Sequence, residues 1–524
     1  MRRYWKIKVR EKGYTMKKQI NQLRAGVILS YINLALGSII PMLYTPVMLK
    51  LLGQSEYGLY SLSNSVISYL SLLSLGLGGT IIRYIAKYRA ENDKNSIEKL
   101  FGFSIKLFCG LAVVVLIVGF IITFNVETIF HRGLTAKEID KVHILVFIMT
   151  INTALSFPNS VFSSVILAYE RYVFRRVVDM FSTVIAPLAN IVALYLGYAS
   201  VGMALVSTIM QILMLCLNIF YCIEKLRISP KRGRLSGDLI KEIFKFSAYS
   251  FLASIVDMLF WSTDKVILGM LASSTAVAVY NVGGTFNNIV MNLSTSISGV
   301  LMPKITGMVV KEAKGEELTE LFIRVGRLQY IIIALVVSGF TVFGRSFIIL
   351  WAGSEYINAY WIAILTLFPL CIPLIQNTGV SIVVAQNKHK FRSMVYLLIA
   401  ILNVISTYCV VPYWGGIGAA FCSCISYLLG QGIIMNWFYY KKIGIDIPSF
   451  WRNIASMSVI PGGMLMIGIV VFKKIEVLNW SVFFIGIVVY TLIYCAGMYI
   501  FSFNNYEKDI IRKPLVKWRI MKEK

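Results

Sequence analysis

The chain has 524 residues, of which 57% are hydrophobic and 15% charged, against roughly 25% charged in an average soluble protein. Apolar runs of about 20 residues recur from end to end, each able to cross a bilayer core. This excludes a string of soluble domains, a disordered chain, a β-barrel and a secreted disulfide scaffold. The net charge of +26, from 51 Lys+Arg against 25 Asp+Glu, would suggest nucleic acid in a soluble protein. Its distribution points elsewhere, to topology and contact with anionic membrane lipids, and no nucleic-acid partner is expected.

Residues 1–24 form a basic tail that runs into the first apolar segment without a small-residue cleavage site, so no removable signal peptide is expected. Fourteen apolar segments follow, at 25–50, 56–86, 104–125, 142–169, 175–196, 202–223, 243–271, 275–303, 326–350, 360–385, 393–411, 415–440, 451–472 and 480–503. The expected fold class is an all-α polytopic membrane protein of 14 transmembrane helices. When a basic residue within about five residues of a span end is counted with the adjoining loop, 43 of the 51 lie in the two tails and in the loops after even-numbered spans. Seven lie in the other loops, and Lys265 is inside span 7. The positive-inside rule then places both termini in the cytoplasm, in the cell membrane.

Two stretches about 220 residues apart are alike: MLKLLGQSEYGLYSLSNSVISYL (48–70) and ILGMLASSTAVAVYNVGGTFNNI (267–289), which set Tyr60 opposite Tyr280. Further on, IEKLF (97–101) faces LTELF (318–322), and ILAYERYVFRR (166–176) faces VVAQNKHKFRS (383–393). The repeating unit is six spans. An even number returns the chain to the same side, so the copies form a parallel repeat about the membrane normal. The domain organisation read from this is a basic tail (1–24), a six-helix bundle (25–224), a basic cytoplasmic linker (225–242), a second six-helix bundle (243–440), two further helices (441–503) and a basic tail (504–524).

Cys109, Cys216, Cys222, Cys371, Cys409, Cys422, Cys424 and Cys495 all fall in apolar runs, so free, buried thiols are expected. There is no GxxxxGK[ST] loop, and His131, His143 and His389 lack metal spacing. Neither a metal nor a cofactor is expected.

The stretch LLGQSEYGLYSLSNSVISYLSLLSLGLGGTIIRYIAKYRAEND (51–93) resembles the N-terminal signature of bacterial polysaccharide flippases. These belong to the multidrug/oligosaccharidyl-lipid/polysaccharide exporter superfamily. STDKVILGMLASSTAVAVY (262–280), followed by Met302-Pro303-Lys304, is similar to the second-half signature. One departure is visible: Gly58 precedes Tyr60 in the first half, but Ala278 stands at the matching place before Tyr280. The resemblance implies a transporter, not an enzyme, that flips an undecaprenyl-diphosphate-linked oligosaccharide by alternating access during cell-surface polysaccharide synthesis. It also implies a polysaccharide polymerase and glycosyltransferases as candidate partners. Two alternatives stay open: a drug or cation exporter of the same superfamily, and a membrane-embedded polymerase or ligase. The short loops assigned to the outside leave the latter little room for catalytic residues.

Candidate site residues follow from the cost of charge in a membrane, roughly 2.5–3.5 kcal/mol at mid-bilayer on insertion scales. In span 7, Asp257, Trp261, Asp264 and Lys265 have i, i+4, i+7, i+8 spacing and share one face of an unbroken helix. Asp257, Asp264 and Lys265 are candidates for coupling-ion binding or cavity charge and Trp261 for substrate contact in the cavity; structural pairs with another helix, or a place near the outer interface, are the other reading. Arg24, Arg83, Arg175 and Arg176 lie at the cytoplasmic ends of spans, where planar guanidinium groups suit a diphosphate and where topology alone would also place them. Of the many amides within spans, Asn287, Asn288 and Asn292 form the best substrate-binding set, with interhelical packing the other reading. In a cysteine-free background, single cysteines replacing Lys50, Arg132 or Lys473 are expected to react with an impermeant reagent from outside. Those replacing Lys94, Lys231 or Lys388 are not, and labelling of the Lys231 position from outside would overturn the topology.

Overall fold

A computed structural model describes residues 2–74, 76–231, 233, 235–310, 315–386, 388–472, 479–510 and 512. Among the described residues there is no strand. The helices are α1 (Arg2–Leu52), α2 (Gln54–Ser68), α3 (Leu77–Ala90), α4 (Lys94–Phe124), α5 (Val126–Phe130), α6 (Ala136–Ala168), α7 (Tyr172–Tyr195), α8 (Ala199–Phe220) and α9 (Gly237–Trp261). They continue with α10 (Thr263–Leu271), α11 (Ser274–Val310), α12 (Gly315–Trp351), α13 (Ala359–Ile375), α14 (Asn377–Ala385), α15 (His389–Tyr427), α16 (Met435–Phe438), α17 (Ile447–Phe472) and α18 (Trp480–Gly497). Among the described residues, ten stretches are long and apolar enough to span a membrane, or eleven when the bent pair α13 and α14 counts as one. The protein is thus an all-helical, multi-pass membrane protein; the figure of fourteen rests on the charge pattern. The stretch Lys390–Ile443 counts once among the ten, yet Gly415 interrupts it in a non-helical conformation (φ 53°, ψ −138°). That break adjoins the loop expected at 412–414.

Several helices outrun the apolar segments that mark them. α4 begins at Lys94, where the apolar run starts at 104, and α12 begins at Gly315, where it starts at 326. Hydropathy measures the hydrocarbon layer, whereas a helix continues through the headgroup region until a capping signal or turn ends it. For α4 that signal is Asp93, whose carboxylate accepts from the Ser96 amide at 3.0 Å. Hydrogen bonding to Ser96 holds the Asp93 carboxyl below its ordinary pKa.

The chain divides into two compact units, residues 1–278 and 279–524. In unit 1, α4 and α8 both pack along α6, and α1 packs along α7. Helices α9 and α10 belong to this unit as well. The linker after α8 is not a loose tether. Lys231 donates its backbone amide to the Glu98 carbonyl at 3.0 Å and pairs its side chain with the buried Glu98 carboxylate. The Lys231 carbonyl lies where a Cβ on Gly102 would sit, so glycine is required for that approach.

In unit 2, α12 packs against α13, α17 and α18. Tyr494 of α18 donates to the Ile331 carbonyl at 2.8 Å, and Ala334, Met457, Tyr494 and Met498 form a buried cluster. The segment that follows α18 is tied in by a buried ion pair. Arg327 donates Nε to Glu507 Oε1 at 2.6 Å and a terminal nitrogen to Oε2 at 2.8 Å. Their side chains are 7% and 2% exposed.

Side-chain contacts recur at the repeat distance. Phe174 stacks on Tyr221 at 3.7 Å and 12°, and Phe391 stacks on Phe438 at 4.4 Å and 12°. Asn159 and Asn218 share an amide hydrogen bond of 2.8 Å; Gln376 and Asn436, at matching places, share one of 2.7 Å. All eight cysteines are free, as expected, but Cys109, Cys216, Cys409 and Cys495 are exposed rather than buried. An apolar run supplies residues to the lipid face as well as to the core.

Removing one partner of a buried ion pair costs about 3–5 kcal/mol, whereas replacing both with apolar groups is often neutral. Arg327→Ala is therefore expected to lower the thermal unfolding temperature of the detergent-solubilised protein markedly. The double variant Arg327→Met/Glu507→Leu is expected to recover most of that loss.

Candidate translocation site

Exposed residues sort by helix. α4, α7, α8 and α18 carry large exposed apolar side chains such as Ile117, Phe124, Leu188, Ile209 and Val488, as lipid contact requires. Between Leu51 and Val113, by contrast, no large hydrophobic residue is exposed among the described residues. The exposed positions along α2, the 3-10 segment after it (Tyr69–Ser74) and α3 as far as Lys87 are Asn64, Ser71, Gly79, Arg83, Ala86 and Lys87, and Ala90 at the end of α3 is exposed too. Gly79, Arg83, Ala86 and Lys87 follow i, i+4, i+7, i+8 spacing, which is one helix face. On α9, Ser254 and Asp257 are exposed, and Val256 between them is buried. In unit 2, α11 exposes Asn288, Asn292 and Thr295 at i, i+4, i+7, with Leu293 beside them. These faces are polar or small within otherwise apolar helices, a composition that suits water rather than hydrocarbon.

The two polar helices of unit 1 are broken, and the breaks touch. α2 ends at Ser68; the 3-10 segment follows, and Gly76 in the left-handed conformation (φ 66°) starts α3. α9 ends at Trp261, and Ser262 (φ −116°, ψ −30°) separates it from α10. Ser68 Oγ donates to Met258 Sδ at 3.1 Å and to Ser262 Oγ at 3.2 Å, and the Tyr69 and Thr263 hydroxyls hydrogen-bond. The consecutive Ser262-Thr263 falls at the break, and its two hydroxyls meet those of Ser68 and Tyr69.

The break changes the span 7 expectation. Asp257, Trp261, Asp264 and Lys265 do not lie on one unbroken helix. Asp257 is exposed on α9 and Trp261 half-buried at its end; Asp264 is fully buried on α10, with Lys265 half-buried beside it. The sequence reading missed Ser68, Tyr69, Met258 and Ser254. The glycines after Tyr69 and the Ser262-Thr263 pair were the available signals.

The other candidates separate as well. Arg83 is exposed, its guanidinium 5.9 Å from the Tyr84 ring centre. Arg175 pairs with Asp179 at 2.9 Å, and Arg176 approaches the same carboxylate at 3.8 Å. Arg24 lies on α1, with its side chain outside the described residues. Asn287 is buried and exchanges hydrogen bonds of 3.0 and 3.2 Å with Thr366 of α13. It packs helices, whereas Asn288 and Asn292 are exposed. Unit 2 also holds an apolar cavity of about 400 Å³ between α12, α13 and α17, lined by Val337, Phe368, Ile372, Trp451 and Ile454 among others.

Residues 23–309 match the family model described as polysaccharide biosynthesis protein. The chain belongs to this family. It is 25% identical over 476 residues, 86% of this chain and 90% of the relative, to the uncharacterised membrane protein MJ1068 of Methanocaldococcus jannaschii. Its fold is similar to that of the lipid II flippase MurJ in an inward closed conformation, with a TM-score of 0.71 at 15% identity, covering 94% of this chain and 99% of that one. It is also similar to an inward-facing multidrug resistance MATE family transporter of the MOP superfamily, with a TM-score of 0.64 at 14% identity, covering 83% and 99%. The matched region of this family member contains α2, α3, α9, α10 and most of α11, the helices that carry the polar faces and the touching breaks.

With all native cysteines replaced, single cysteines at Asn64, Ser254 and Asn288 are expected to react readily with a water-soluble thiol reagent in permeabilised membranes. Cysteines at Phe124 or Val488 are expected to stay unmodified. Equal labelling of both sets would show that the polar faces are not wet.

Proposed function

We propose that the protein flips an undecaprenyl-diphosphate-linked oligosaccharide from the inner to the outer leaflet of the cell membrane, by alternating access, with both termini in the cytoplasm. The observation that carries the reading is the set of polar exposed faces on α2–α3, α9 and α11, while α4, α7, α8 and α18 expose large apolar side chains. Membership of the polysaccharide biosynthesis family supports it, as does a fold shared with a lipid II flippase.

In this reading the exposed Arg83 and Lys87 receive the diphosphate, for which a guanidinium offers two parallel donors. Asn64, Asn288 and Asn292 offer amide donors and acceptors to sugar hydroxyls. The apolar cavity beside Phe368 and Trp451 suits part of the polyisoprenyl chain, which the bilayer accommodates along the rest of its length. Asp257, an exposed carboxylate within an apolar helix, is suited to hold a proton or a cation.

The test is a flipping assay in proteoliposomes with a defined undecaprenyl-diphosphate-linked oligosaccharide. Wild-type protein is expected to move the glycan across the bilayer. Asp257→Asn, which keeps shape and hydrogen bonding but removes the charge, is expected to lose flipping at normal membrane levels, and Arg83→Ala to lose most of it. Movement of cationic drugs with no movement of the lipid-linked glycan would support an exporter instead.

A further inference from the structure

One carboxylate holds two helix starts together at the N-terminal end of α2, the end that the charge pattern assigns to the outside. Glu138, in the first turn of α6, accepts through Oε1 from Ser55 Oγ at 2.7 Å and from Ser274 Oγ at 2.5 Å. Its Oε2 accepts from the Thr135 amide at 3.0 Å and the Thr135 hydroxyl at 2.9 Å. The start of its own helix thus aims the carboxylate. Ser55 lies in the first turn of α2 and Ser274 opens α11, and the internal repeat makes these two helices equivalent.

The backbones beneath are in direct contact. A Cβ on Gly58 would overlap the Ser274 carbonyl, and one on Gly133 would overlap the Gly269 carbonyl. This explains why glycine stands before Tyr60 in one repeat and Ala278 suffices in the other: the close approach falls on the first copy alone. A neighbouring carboxylate has a different reach. Glu56 accepts from Ser200 Oγ at 2.6 Å and pairs with Lys141. It ties α2 to α6 and α8, all within the first repeat, whereas Glu138 ties α2 and α6 to α11, within the second.

We propose that Glu138 is the latch of the outward side, and that its release of Ser274 is a required step of the transport cycle. The inference rests on the alternating-access reading above. α11 leaves this contact and continues into unit 2, so any movement of its first turn away from α2 must break the Glu138–Ser274 bond. Glu138 is a positioning residue here and does not bind the transported molecule.

Two measurements on the full chain in proteoliposomes, in a cysteine-free background, test the latch. The first uses the pair Ser55→Cys/Ser274→Cys, whose native hydroxyls lie 3.1 Å apart, close enough for a disulfide after small rotations. Oxidation is expected to cross-link the pair and abolish flipping, and a reductant to restore it. The second reads the rate at which a cysteine at Asn64 reacts with an impermeant maleimide from outside. Glu138→Gln is expected to raise that rate severalfold, while Glu56→Gln leaves it unchanged. Cross-linked protein that flips at the uncrosslinked rate would overturn the proposal, and so would a folded Glu138→Gln variant with unaltered labelling. The labelling needs no substrate, so failure to flip lipid-linked glycan would count against the flippase reading and leave the latch result standing.

Discussion

A polar side chain among membrane-spanning helices has two stable situations: bonded to another helix, or wetted. The rest of this structure follows from that alternative, because hydrocarbon offers no hydrogen bonds in return for those lost with water. Asn159, Asn287, Gln376 and Asn403 take the first course, pairing respectively with Asn218, Thr366, Asn436 and the hydroxyls of Ser423 and Ser426. Asn64 and Asn288 take the second, as exposed residues on otherwise apolar helices. The first group fixes the bundles internally. The second marks faces suited to water.

The same constraint explains what could be read from the sequence. Helical class, membrane residence and repeat are collective properties. They sum over hundreds of residues, so the repeated Phe174 and Phe391, or the alternation of basic loops, survive local irregularity. The site is not collective. Asn287 and Asn288 are adjacent and chemically identical, yet one is buried against Thr366 and the other is exposed, and nothing in their spacing says which. Asp264 appeared to share a face with Asp257 because helical spacing was extended across Ser262, where the helix breaks. A period assumed over seven residues is worth no more than the weakest hydrogen bond within it.

Breaks and close contacts also had a local signature. Glycines follow Tyr69, hydroxyls occupy 262 and 263, and Gly58 stands where its repeat partner is alanine. Each was visible as an oddity of composition. Its meaning needed a partner from far along the chain: Ser68 for Ser262, Tyr69 for Thr263, and the Ser274 carbonyl for Gly58. Where hydrophobic burial dominates, the pattern of one segment suffices; where two backbones touch, the pairing decides.

The recurring amide pair, Asn159–Asn218 in one copy and Gln376–Asn436 in the other, bears on ancestry. A contact kept while one of its residues differs between the copies is the mark expected of a duplicated gene whose product was already a packed bundle. A unit of six spans, the number read from the apolar segments and the charge pattern, is even, so joining two copies end to end leaves the second in the orientation of the first. The ancestor therefore needed a single way of entering the membrane, and fusion required no span to be gained or lost. Duplications of odd-span units lack that economy: their founders must insert both ways round before the halves can be joined.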